Sequence, residues 1–141
     1  LQGHIIAIAP LTSEIKNISG WLVEWIKNHN LNVEPTVYTC DSVELARRSL
    51  QLPLDLGNPP FLVIIDHSLE NQNIRKFAKE LREGIPECWI IELVEDTDLI
   101  PIDKTAFMLK KPVNKDEWNE VMEHLFKQAA TPQWSRAISN F

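Results

Sequence analysis

The sequence predicts an α/β domain: a five-stranded parallel sheet, doubly wound, with helices on both faces. Three observations carry this. Phe61-Leu62-Val63-Ile64-Ile65 is a continuous apolar run, preceded by Pro59-Pro60 and ended by Asp66, and such a run reads as a strand buried on both faces. Other short runs of β-formers alternate with segments whose apolar residues recur at helical spacing. A length of 141 residues suits one domain of five such alternations, which is flavodoxin-like in plan. In open parallel sheets chemistry lies beyond the carboxyl ends of the strands, and Asp66 stands at that end of the central one.

Taken in order, residues 4–9 form a first buried strand, which Pro10 stops. Thr12 or Ser13 caps the next helix; Ile15, Ile18, Leu22 and Ile26 form its sheet-facing stripe, and Asn30 closes it. Residues 33–39 are a second strand, placed at an edge by Pro35, because proline cannot donate to a ladder. Asp41-Ser42-Val43-Glu44 reads as a capping box in which Asp41 accepts from a free backbone N–H and Glu44 reaches back; Leu45, Ala46 and Leu50 continue that helix. Residues 52–60, with Pro53, Gly57, Pro59 and Pro60, read as a loop. After the central strand, Ile74, Phe77, Ala78 and Leu81 line a helix that Gly84 ends as a left-handed cap and Pro86 keeps from continuing.

Residues 88–94 are a fourth strand and residues 106–109 a short fifth. The crossing between them, residues 95–104, is acidic, carries Pro101 and lacks helical periodicity, so the fourth helix is expected to be shortened or absent. Asn114, with Glu117 at the capping-box position, starts a last helix whose stripe is Trp118, Val121, Met122, Leu125 and Phe126. Thr131, Pro132 and Ser135 then mark a tail or linker over residues 129–141, leaving residues 1–128 as the domain.

A net charge of −6 argues against a nucleic-acid partner, which calls for a basic face. No apolar run is long enough to cross a bilayer, so no direct membrane contact is expected. Cys40 and Cys88 lack CxxC spacing and fit buried thiols in a reducing cytosol. With no secretory signal at the start, a cytoplasmic module is expected, including the cytoplasmic part of a membrane-bound sensor. Leu1 is not an initiator residue, so the chain reads as a piece of a longer one. The glycines form neither GxGxxG nor a P-loop, which argues against dinucleotide or triphosphate binding, and no Ser, Cys or His sits in a nucleophile elbow.

The βα order, the apolar strand ending in Asp66 and the Lys111-Pro112 pair after the fifth strand together resemble the receiver domain of two-component signalling, over residues 3–126. The opening Leu1-Gln2-Gly3-His4-Ile5-Ile6 is similar to the junction that precedes receivers in hybrid sensor histidine kinases of the BarA/GacS type. The resemblance implies a phosphoryl-accepting Asp on the third strand and an acidic pair after the first that helps hold Mg2+. It also implies a Thr or Ser after the fourth strand and a Lys after the fifth, both on the phosphoryl oxygens, and an aromatic switch on the fifth. Asp66 fills the acceptor position and Lys111 the lysine position. Ala9 and Pro10 stand at the acidic pair, Val94 at the Thr/Ser position and Met108 at the switch, with Phe107 one residue out of phase. Leu69-Glu70-Asn71-Gln72 replaces the usual Pro and Gly after the acceptor strand.

These departures matter physically. Phosphoryl transfer to a carboxylate needs charge on both reactants neutralised, commonly by Mg2+ held between carboxylates and phosphate. Ala9 and Pro10 offer no carboxylate, and Val94 offers no hydroxyl to a developing oxyanion. Glu70, Glu92, Glu95 and Asp96 are substitute ligands that spacing alone does not separate. Asp66 and Lys111 otherwise read as an ion pair tying two strand ends, with a gross attraction of about 4 kcal/mol at ~4 Å and an effective dielectric of ~20, much of it offset by desolvation.

The expectation is therefore a pseudo-receiver: non-catalytic, without a cofactor unless Asp66 is phosphorylated and recruits Mg2+, and acting through protein contacts. A phospho-accepting receiver using Asp66 and a small-ligand-binding regulatory module are the alternatives. The resemblance implies a histidine kinase core or phosphotransfer domain as partner, and the contacts are expected on the first helix and on the fourth-strand/fifth-strand face. On that helix Trp25 flanks the buried stripe and Trp21 points away from it, which makes both candidate contacts beside the plainer reading that they pack on the tail or a neighbouring domain. Trp89 and Trp118 read as core, Trp134 as a tail residue and His67 as a solvated loop histidine. The acidic run from Glu95 to Asp98 lacks the alternation and glycine of a calcium loop.

Overall fold

The chain alternates strand and helix through β1 (Gln2–Ile8), α1 (Ser13–Asn28), β2 (Glu34–Cys40), α2 (Val43–Asp55) and β3 (Leu62–Asp66). A 3-10 segment (His67–Gln72) leads into α3 (Ile74–Gly84), followed by β4 (Trp89–Val94), β5 (Phe107–Lys110) and α4 (Lys115–Gln128). These assignments come from a computed structural model that describes residues 2–29, 31, 33–95, 101–103 and 106–128. The tail over residues 129–141, with Trp134, lies outside the described residues, as does Asn30.

All neighbouring strands run parallel, in the order β2-β1-β3-β4-β5. This is the doubly wound arrangement expected from the sequence, and it has a physical consequence. β1 and β3 are central, so β3 is buried along its whole length. β2, which carries Pro35, lies at an edge. Alternate strand residues then serve two cores. Ile5, Ala7, Leu62, Ile64, Ile91 and Leu93 pack with the stripes of α1 and α4 on one face. Ile6, Ile8, Val63, Ile65 and Ile90 pack with α2 and α3 on the other. Trp118 anchors the first core at 0 % exposure. Among the described residues no helix lies between β4 and β5; residues 96–100 and 104–105 of that crossing are outside them.

Four local expectations need correction. The cap of α2 is Ser42, whose hydroxyl accepts from the Leu45 N–H at 3.1 Å; Glu44 points along the helix to Arg48 instead of back. α2 also runs past the expected loop boundary to Asp55, through Pro53. Proline forfeits one helical hydrogen bond, but Val43, Ala46, Leu50 and Pro53 form one buried stripe, and that packing outweighs the lost bond. The left-handed turn follows at Gly57, with φ 70°. Gly84 is not a left-handed cap: it ends α3, and Asn73, at φ 63°, is the left-handed residue at the start of that helix. Asparagine tolerates this region better than most side chains. Asn114 caps α4 as expected, its Oδ1 accepting from the Asp116 N–H at 2.7 Å.

Candidate functional site

Strand register assembles the site. Ile65 pairs with Ile8, so Ala9 and Pro10 follow on beside Asp66; on the other side Asp66 pairs with Leu93, next to Val94. β5 pairs with β4 up to Val94 and Lys110, and the Lys111 N–H donates to the Val94 carbonyl at 2.8 Å. The Lys111-Pro112 peptide is cis. Lys111 is thereby delivered above Asp66 by backbone pairing alone.

Asp66 is 5 % exposed, and its carboxylate has two partners. Lys111 Nζ donates to Oδ1 at 2.9 Å and to Oδ2 at 3.2 Å. The Ser68 N–H donates to Oδ1 at 2.9 Å, so Asp66 also caps the 3-10 segment. Lys111 Nζ reaches a second carboxylate, Glu95 Oε1, at 3.2 Å. Burial by itself pushes the Lys111 pKa down, but the bonds and charges of Asp66, then of Glu95, outweigh it, and the pKa stands above the usual lysine value. Lys111 is therefore a fixed cation held between two anions.

Beside this pair is a cleft of about 370 Å3, lined by Thr12, Glu14, Asp66, Glu95, Lys111 and Pro10. Thr12 is the N-cap residue of α1 but makes no side-chain cap bond. Glu14 Oε2 accepts the Val113 N–H at 3.0 Å, tying α1 to the chain before α4. Magnesium demands near-octahedral oxygen ligands. The carboxylates here do not match that demand: Asp66 and Glu95 face Lys111, and Glu14 is engaged by a backbone amide. Ala9, 2 % exposed, and Val94, fully buried, present apolar atoms at the ends of β1 and β4. Among the described residues no cluster of three or more His, Cys, Asp or Glu side chains is placed to hold a metal ion. Of the substitute ligands considered, Asp96 and the side chain of Glu70 lie outside the described residues. Glu92 turns away to the α3 face.

The position of Glu92 overturns the reading of His67. His67 is buried, and its Nε2 donates to Glu92 Oε1 at 2.5 Å. Burial in a packed turn beneath β4, rather than solvation, is what the topology imposes on it. The signal was present in the sequence: an acid embedded in Ile90-Ile91-Glu92-Leu93-Val94 must find donors when buried. Glu95 as second partner of Lys111 had no comparable signal.

On β5, Met108 pairs in register with Glu92, while Phe107 packs edge-on to His124 at 5.4 Å and tilted to Trp89 at 6.0 Å. The aromatic ring is thus committed to the α4 side. Trp21 does not point free of the domain: it and Trp25 are half-buried and pack against the α1/α4 core. On the same side of the sheet α4 lies alongside α1, with a Lys115–Glu24 ion pair at 3.5 Å between them. Trp25 also stacks on His29 at 3.8 Å between ring centroids. Among the described residues no helix is long and apolar enough to cross a membrane.

No family model matches the sequence, and no curated protein matches it. Solved structures do. A response regulator receiver domain protein from Bacillus halodurans superposes with a TM-score of 0.61 at 16 % identity, over 94 % of this chain and 100 % of that one. A two component transcriptional regulator AraC from Clostridium phytofermentans gives 0.63 at 15 % identity, over 92 % and 99 %. A response regulator in red light signaling of R. palustris gives 0.58 at 19 % identity, over 89 % and 92 %. At these identities the likeness concerns the backbone, and this chain has the fold of receiver domains.

Proposed function

We propose that this chain is a pseudo-receiver: a receiver-like module of two-component signalling that carries out no phosphoryl transfer and acts through protein–protein contacts. The context proposed for it is a hybrid sensor histidine kinase of the BarA/GacS type, in the cytoplasm, with the kinase core or a phosphotransfer domain as partner. The supporting observation is the Lys111 clamp. The one carboxylate at the acceptor position is bonded to an ammonium through both oxygens, and Ala9, Pro10 and Val94 supply neither a metal ligand nor a hydroxyl around it. The two other carboxylates of the cleft are engaged as well, Glu95 by Lys111 and Glu14 by the Val113 amide, which leaves a poor set of ligands for a divalent ion.

The test is nuclear magnetic resonance of the 141-residue chain with Mg2+ and beryllofluoride. Unmoved Asp66 and Lys111 amides at millimolar Mg2+ are expected. Saturable shifts there would replace this reading by a phospho-accepting one, which the cleft beside Asp66 leaves sterically open. The contact half is tested by calorimetry against a histidine phosphotransfer domain and a kinase dimerisation core. Trp21→Ala is expected to weaken such binding by about tenfold or more if α1 is the contact.

A further inference from the structure

We propose that Glu92 and His67 form a positional link that couples the carboxylate of Asp66 to the β4–β5 crossing. Glu92 is 0 % exposed within an otherwise apolar strand. A carboxylate there is tolerable only when donors surround it. It has three: His67 Nε2 at 2.5 Å, the Ile102 N–H at 2.8 Å, both on Oε1, and the Asp103 N–H at 2.9 Å on Oε2. The described part of the crossing has no helix of its own, so these two amides are held by a side chain from β4 rather than by local secondary structure. Asp103 passes the connection on. Its carboxylate accepts Arg82 Nε at 2.9 Å, and Arg82 also donates to the Pro86 and Cys88 carbonyls at 2.6 and 2.8 Å. Asp103 is thereby tied to the end of α3.

The other end of the link is Asp66. His67 opens the 3-10 segment that Asp66 caps through the Ser68 N–H. The same Oδ1 that holds Lys111 therefore also sets the backbone that aims the His67 ring at Glu92. A change that takes Oδ1 from Ser68 releases the turn, withdraws one of the three donors from Glu92 and loosens residues 102–103. Packed interiors respond to such changes by switching between discrete arrangements. The coupling is reciprocal by thermodynamic necessity. It does not depend on whether Asp66 ever takes a phosphoryl group, so its failure and that of the proposed function are separate results.

Amide hydrogen exchange of the full chain tests it. Asp66→Ala removes the cap and is expected to speed exchange of Ile102 and Asp103 by about tenfold, equivalent to about 1.4 kcal/mol. Asp66→Asn loses the ion pair but keeps a capping oxygen, and is expected to stay within about threefold of the parent. In a His67→Leu background the Asp66→Ala effect should vanish; in His67→Gln, whose amide places a donor near the Nε2 position, it should persist. The proposal falls if Asp66→Ala leaves residues 102 and 103 protected, if both Asp66 variants act equally, or if His67→Leu changes nothing. Should Asp66→Ala fail to fold, the reverse direction decides: His67→Leu should speed exchange of the Ser68 amide by about tenfold, and an unchanged Ser68 overturns the link.

Discussion

The Lys111 ammonium stands 2.9 Å from Asp66 Oδ1 and 3.2 Å from Oδ2, joining the ends of β5 and β3 across 45 positions of sequence. Both side chains are largely shielded, at 15 % and 7 % exposure. Removing one partner of such a pair strands the other. Lys111→Met is expected to cost about 3 kcal/mol, the low end for a buried pair because Lys111 keeps some solvent. Asp66→Asn should cost less, about 1.5 kcal/mol, since Lys111 retains Glu95. Urea unfolding followed by tryptophan fluorescence measures both; equal costs would show that Glu95 does not back up the pair.

The same lysine predicts a response to alkali. Its folded pKa is raised, so the folded state favours the cation. A raised pKa gives a contribution fully present below the unfolded value of about 10.4 and lost as pH rises through the folded one. The stability difference between the parent chain and Lys111→Met should therefore be flat from neutral pH to about 10 and shrink above about 10.5. Thermal unfolding of both proteins across that range reads it directly; a difference that grows with alkali would contradict the assignment.

Gly3 is required by close approach rather than by backbone conformation. A Cβ placed there clashes with Val33 Cγ1, well inside van der Waals contact, and meets Phe61 Cε1 at 2.8 Å. Gly3→Ala is expected to destabilise by about 1–3 kcal/mol, the usual cost of overpacking. Adding Val33→Ala should recover part of that loss in the same unfolding assay, and strict additivity of the two changes would exclude the clash as the cause.

Cys88 should be chemically silent. Burial pushes its thiol up to about 12, above the opposing effect of Arg82, and Cys40 is also raised by burial. Only the thiolate reacts, so neither cysteine should alkylate in the folded chain at pH 8, and both should alkylate after unfolding in guanidinium. Rapid labelling of native Cys88 would contradict its placement beneath α3.

The architecture was legible because its cause is local. An apolar run with one terminal carboxylate specified β3, the stripe from Trp118 to Phe126 specified α4, and Pro35 specified the edge. Where local signals misled, packing had overridden them. Pro53 reads as a breaker in a string of letters but lies on the buried stripe of α2. Trp21 falls off the stripe of α1 by angle alone, yet it is half-buried and packs against the α1/α4 core.

The order of elements, the two-sided core and the candidate pair of Asp66 and Lys111 were all readable in the string of residues, because each follows from periodicity or from the residue at a strand end. That Lys111 answers to both Asp66 and Glu95, and that His67 is buried against Glu92, emerged only from the packed fold. A buried charge selects its partner by position in space, and strand register, not sequence distance, brought His67 to Glu92 across 25 positions.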